Sequence, residues 1–125
     1  KRKNIRLGSQ KFNNNLPSNN VFEDIPTDWE HAIQAAVNSQ NYTAAIAYKF
    51  RHLLLQMSEN EIINYTDYKT NTNYFYEIKN RDLANNFRKL TIIFNEAKYS
   101  YLKINEQRFS DFITAERQFR STAQI

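Results

Sequence analysis

The chain has 125 residues, with one glycine, two prolines, no cysteine and 14% aromatic side chains, which fits one domain large enough to bury a workable core. Scarce glycine disfavours a many-stranded β fold, whose tight hairpins need positive φ, and favours long helices; the lack of cysteine excludes disulfides and thiolate metal sites. The formal charge of +4 is uneven: Lys1, Arg2, Lys3, Arg6 and Lys11 all precede the first acid, Glu23, and leave 12 basic and 13 acidic residues for the rest.

In chain order, residues 1–21 read as a flexible, basic, Asn-rich linker. Gly8, Ser9, Pro17 and Ser18 punctuate it, and Ile5, Leu7, Phe12 and Leu16 keep no helical or strand period. Such a segment is a solvated tail, a juxtamembrane segment facing anionic lipid, or an arm for nucleic acid. No apolar run reaches the ~18–20 residues needed to cross a bilayer, and no signal-peptide core is present. A chain that begins at Lys with this leader is what a fragment starting just after a transmembrane segment would show.

The helical domain is expected over 22–125. Thr27-Asp28-Trp29-Glu30 fits a capping box with Thr27 as the cap, after which Trp29, Ala32, Ile33, Ala36 and Val37 form one helical stripe ending near Asn38-Ser39-Gln40. Asn41 is placed to cap a second helix, Tyr42 to Ser58, burying Ala45, Ile46, Phe50, Leu53, Leu54 and Met57. The short connection predicts an antiparallel hairpin, and alanines 32, 36, 44, 45 and 47 allow close approach. Glu59 to Tyr68 reads as a connector with apolar Ile62, Ile63 and Tyr65, short for a helix and suited to lying extended across the core.

Thr70 is expected to cap a third helix with Tyr74, Phe75 and Ile78 inward. A long fourth helix, Arg81 to Tyr101, carries Leu83, Phe87, Leu90, Phe94, Ala97 and Tyr101 in a heptad-like seam, read as an intramolecular core in preference to a coiled-coil dimer. A fifth begins at the cap Asn105 with Phe109, Phe112, Ile113, Glu116 and Phe119, and its last residues are expected to fray. The result is an all-α, compact bundle of about five helices. Trp29, Tyr42 and Ala45 resemble one tetratricopeptide unit, but no repeat period supports an array.

No catalytic constellation is found. His31 and His52 have no metal-ligand partner at helical spacing, so neither a metal nor a cofactor is expected. Glu59 and Glu61 lie at a helix end, and a single glycine at position 8 permits no phosphate loop. Tyr48, Lys49, Phe50, Arg51 and Phe87, Arg88, Lys89 interleave aromatics with cations, yet helical spacing turns the aromatics inward, which argues against nucleic acid. The most distinctive polar cluster is Lys69-Thr70-Asn71-Thr72-Asn73-Tyr74. It is either a helix start with redundant caps or a recognition surface, and Lys69, Thr70, Asn71 and Tyr74 are the binding residues under the second reading.

The order Asn41-Tyr42-x-x-Ala45-Ile46, Leu53-Leu54-Leu55, Ile62-Ile63, Lys69-Thr70-Asn71-x-x-Tyr74 and Leu90-Thr91-x-x-Phe94 resembles a bacterial domain of unknown function. That domain occurs at the C-terminus of transglutaminase-like membrane proteins and in related membrane proteins without the enzyme domain. The resemblance covers about Phe22 to Phe119. Where the family often has Trp-Tyr-Gly, this chain has Lys98-Tyr99-Ser100 and keeps only the tyrosine.

The resemblance implies a helical domain just after a transmembrane helix, on the cytoplasmic face of the bacterial inner membrane. It carries over no enzymatic activity, because the Cys-His-Asp chemistry sits in another domain. The expected function is therefore a non-catalytic interaction or regulatory domain whose partner is a protein or another region of the same polypeptide, with no small-molecule ligand. The alternative is a peripheral binder of anionic lipid or nucleic acid through the leader cations Lys1, Arg2, Lys3, Arg6 and Lys11.

Overall fold

The computed structural model describes residues 21–125, and within them every regular element is helical: α1 Trp29–Asn38, α2 Tyr42–Glu59, α3 Asn71–Glu77, α4 Arg81–Tyr99 and α5 Glu106–Ala123. The leader cations and the expected linker, apart from Val21, lie outside the described residues. α2 is the central helix, packing against α1, α4 and α5, while α3 rests on α4. The aromatic spine of the core runs across three helices. Phe50 stacks on Phe94 at 4.3 Å and lies 5.7 Å from Phe87, which reaches Phe119 at 6.3 Å. The seam of α4 is thus consumed inside the molecule, with Leu83, Phe87, Leu90, Phe94 and Ala97 all buried.

Side-chain oxygens cap each helix start. Asn41, Thr70, Asn80 and Asn105 accept from the backbone N–H three residues on, and Thr70 with Asn73 completes a reciprocal capping box. At α1 the cap is Asp28, not Thr27: its carboxylate accepts from His31 N at 3.0 Å. An ionised acceptor at the positive end of the helix outcompetes the neighbouring hydroxyl, and the register moves by one residue.

Helix ends are where scarce glycine has a structural cost. Gln40, Glu61 and Gln124 adopt φ near +60°, the left-handed conformation that glycine normally supplies. Asn41 N bonds Ala36 O and Gln40 N bonds Val37 O, and the same paired pattern follows α2 through Ile62 and Glu61. Asn41 therefore closes one helix and opens the next. At the last helix Ile125 N bonds Arg120 O, and Ala123 and Ile125 pack against the core, so the expected fraying is replaced by a docked end. α4 also stops earlier than its sequence seam: the backbone extends at Ser100, and Tyr101 is fully exposed instead of joining the core.

α1 is fastened to α2 by a small-residue contact around Ala36, Ala44 and Ala45, and by Trp29. The indole stacks on His52 at 5.2 Å, meets Tyr48 edge-on and takes the Arg51 guanidinium at 5.5 Å from its centroid. Beneath this, Glu116 is buried on α5 between Lys49 Nζ at 3.0 Å and Arg120 Nε at 3.1 Å, and Arg120 also donates to Gln56 at 2.7 Å. Desolvation first, then the nearby Arg120 charge, lowers the His52 pKa below the ordinary histidine value.

Two outcomes follow for urea unfolding at neutral pH. Gln40→Gly and Glu61→Gly each raise stability by about 0.5–1 kcal/mol, because they relieve the left-handed strain by more than the added chain entropy costs. Glu116→Ala lowers it by about 1–3 kcal/mol, by leaving two half-buried cations without a counter-charge, and its cost shrinks when Lys49→Ala is made in the same chain.

Candidate docking groove

After Ile62, whose N–H closes the end of α2, the segment to Lys69 crosses the core without a helical ladder, and side chains of its neighbours satisfy much of its backbone. Tyr65 N donates to Ser58 Oγ, and Asn64 N donates to Glu77 Oε1 at 2.8 Å. The Tyr74 hydroxyl accepts from Thr66 N at 3.2 Å and donates to Thr66 O at 2.7 Å. Lys69 Nζ donates to Asn64 O at 2.7 Å and pairs with Glu77 at 2.6 Å. Tyr65 stacks on the Tyr74 ring at 6.0 Å, and Ile63 is buried beneath.

The turn so held forms one wall of a groove. A cavity of about 450 Å³ lies between it, α2 and α4, with Phe22, Arg51, Leu54, Asp67, Lys98 and Tyr99 on its sides. A second, of about 370 Å³, continues between α3 and α4 past Phe75, Tyr76, Arg88 and Ile92. Asn71, Thr72 and Asn95 line both, so the two hollows adjoin at these residues and follow one another as a channel-like pair along α4. Its α4 edge is the stripe Arg88, Ile92, Asn95 and Tyr99, spaced four, three and four on the helix side opposite the core seam. Ile92, Tyr76 and Tyr99 are exposed large side chains. Four cations, Arg51, Lys69, Arg88 and Lys98, face the channel against one lining carboxylate, Asp67. Among the described residues Arg88 and Lys98 take part in no ion pair; Lys98 lies over the Tyr99 ring at 5.4 Å.

All four of the sequence-predicted binding residues meet at this wall, in different capacities. Thr70 and Asn71 border the channel, with the Thr70 hydroxyl engaged in the α3 cap. Lys69 is tied to Glu77 and Asn64, and Tyr74 is 2% exposed, so these two build the wall. Burial, outweighing the bond to Thr66, raises the Tyr74 pKa. Sequence reasoning assigned no binding role to Phe22, Arg51, Asn95 or Lys98. The signal available for the α4 side was an isoleucine and a tyrosine, Ile92 and Tyr99, interrupting an otherwise polar outer stripe.

Among the described residues no group of three or more His, Asp or Glu side chains is arranged to hold a metal ion, and no helix is long and apolar enough to cross a membrane. A scan against protein-family models, a search of curated proteins and a search of solved structures return no match to this chain.

The wall has an acid dependence with a definite sign. Glu77 is held below its ordinary pKa of 4.5, first by the Asn64 N–H and then by Lys69, and Glu96 is held low by its two-pronged bond with Arg108. Groups lowered on folding add stability that is present above the unfolded pKa and is lost as pH falls through the folded one. Urea midpoints of the wild type therefore drop as the pH falls below the ordinary glutamate value of 4.5, and Glu77→Gln with Glu96→Gln flattens that decline.

Proposed function

We propose that this chain is a non-catalytic docking domain of a bacterial membrane protein, displayed at the cytoplasmic face, that takes an acidic segment with spaced apolar side chains into the channel along α4. The segment belongs to a partner protein or to another region of the same polypeptide. The observation carrying this reading is the channel's composition: Arg51, Arg88 and Lys98 with exposed aromatic and aliphatic side chains against a single lining acid, the fourth lining cation, Lys69, being paired with Glu77. An extended or helical peptide supplies both the matching charge and the apolar contacts. The basic leader supports display at the membrane through the positive-inside rule, and so does the resemblance to domains that follow a transmembrane helix. Tethering raises effective concentration, so a modest affinity suffices.

The channel residues also set which variants test the proposal. Lys69→Glu and Tyr74→Ala break the wall itself, whereas Lys98→Glu and Asn95→Asp change charge on exposed positions and leave the packing alone. Titration of the isotope-labelled full chain with a peptide alternating glutamate and leucine is expected to shift amide resonances at Arg51, Asn95, Lys98 and Tyr99. A lysine-leucine peptide leaves them in place, and Lys98→Glu with Asn95→Asp weakens the acidic peptide about tenfold. Equal binding of both peptides, or shifts elsewhere on the bundle, would falsify this reading. The rival reading, peripheral binding of anionic lipid through Lys1, Arg2, Lys3, Arg6 and Lys11, rests on their concentration ahead of the first acid. It requires a silent channel and vesicle binding that disappears with residues 1–11.

A further inference from the structure

The two ends of α1 are held to α2 by different means. Toward its C-terminus Ala36, the one buried residue of the helix, packs with Ala44 and Ala45. At its N-terminus the anchor is Trp29, whose indole lies against a single turn of α2 formed by Tyr48, Arg51 and His52. The His52 imidazole is almost parallel to the indole, 4° off and 5.2 Å away. Beside the imidazole is a polar hollow of about 260 Å³ between α1, α2 and α5, lined by Glu30, Lys49, His52, Gln56, Glu116 and Arg120.

Charged groups face the ring from all three helices. α1 brings Glu30; α2 brings Lys49, Glu59 and, on the same indole, Arg51; α5 brings Glu116 and Arg120. Glu116 is the buried acid of the group, and Lys49 and Arg120 already share it. Glu30 and Glu59 are exposed, where water and salt screen them. A proton on His52 therefore adds a cation beside two that draw on one buried carboxylate. The indole offers little relief: an aromatic face attracts a cation, but Arg51 already lies 5.5 Å from this centroid, so guanidinium and imidazolium would contend for the same ring.

We infer that the Trp29–His52 stack is a proton-sensitive latch on α1: the neutral imidazole holds the N-terminal half of the helix against α2, and protonation of His52 releases that half about the alanine contact at Ala36, leaving α2, α4 and α5 assembled. The closed arrangement binds the proton less tightly than the released one. Desolvation and then Arg120 hold the closed ring below the ordinary histidine value of 6.5, against the smaller opposing pulls of Glu30 and Glu59, whereas a released ring in water returns to it. The latch is thus whole above that value and is lost as the pH falls through the closed-state value. This range lies above the one in which Glu77 and Glu96 act on the channel wall, and the latch does not depend on what occupies the channel.

Trp29 is the only tryptophan of the chain, so its emission reports the latch directly. In the full chain, lowering the pH from about 8 to about 5.5 is expected to move that emission to the red and to raise its quenching by acrylamide about threefold. The red shift separates release from simple quenching by a charged imidazole still in contact. His52 ring resonances of the wild type titrate with the same midpoint, below 6.5, while amide protection falls in α1 and holds in α2, α4 and α5. His52→Phe keeps a flat ring with no proton to gain and leaves Trp29 shielded throughout, whereas His31→Gln retains the transition. A Trp29 response that stays flat over the range, the same transition in a folded His52→Phe chain, or loss of protection spread over all five helices would each overturn the latch.

Discussion

The Tyr74 hydroxyl holds together the part of this fold that helices cannot. Residues 60–70 must cover the core at the end of α2 without an internal hydrogen-bond ladder, and a buried backbone group left unpaired costs about as much as a lost hydrogen bond. One phenol serves both the N–H and the C=O of Thr66, Glu77 takes the N–H of Asn64, and Lys69 takes its carbonyl. α3 is seven residues long, well below the length at which a helix persists alone. It is stable because it carries these pins and rests on α4. The channel wall is a by-product of the same solution: once the connector is held against Tyr74, its outer edge faces α4 across open space.

Much of this architecture was legible from residue spacing. The stripes from Trp29, Tyr42 and Leu83 and the caps Asn41, Thr70 and Asn105 are local signals, and local signals decide helix position when a single side chain fits the role. Where two fit, position slipped: Thr27 and Asp28 are both good caps, and the carboxylate took the site. Tyr101 continued the seam in sequence but lies beyond Ser100, where the backbone has already turned away. Glu116 sits at a core position on α5, and its counter-charge Lys49 lies on a distant helix, so no sequence window contains that pair.

The site was legible only in part, for the same reason. Lys69, Thr70, Asn71 and Tyr74 stand out because they are polar and consecutive, and that prominence reflects the pinning work at least as much as any surface. The opposing side of the channel comes from α2 and α4, whose lining residues look like ordinary helix surface until the fold sets Arg51, Asn95, Lys98 and Tyr99 across from the turn. Left-handed Gln40, Glu61 and Gln124 were hidden for a different reason. Glycine usually advertises such positions, and here other residues fill them.

α1 packs chiefly on α2, with Phe109 of α5 against the same alanine cluster, and at ten residues it depends on such contacts. Arg51 is one of its fasteners, lying over Trp29, but the same guanidinium also donates to Val21 O at 3.1 Å and lines the channel. One side chain thus serves the first helix and Val21 at once and borders the hollow along α4. An occupant of the hollow that drew Arg51 toward itself would weaken its hold on Trp29 and Val21, and a pull on Val21 would alter that grip by the same free energy. That equality is thermodynamic reciprocity, and through Arg51 it would link the position of α1 and Val21 to whatever the groove receives.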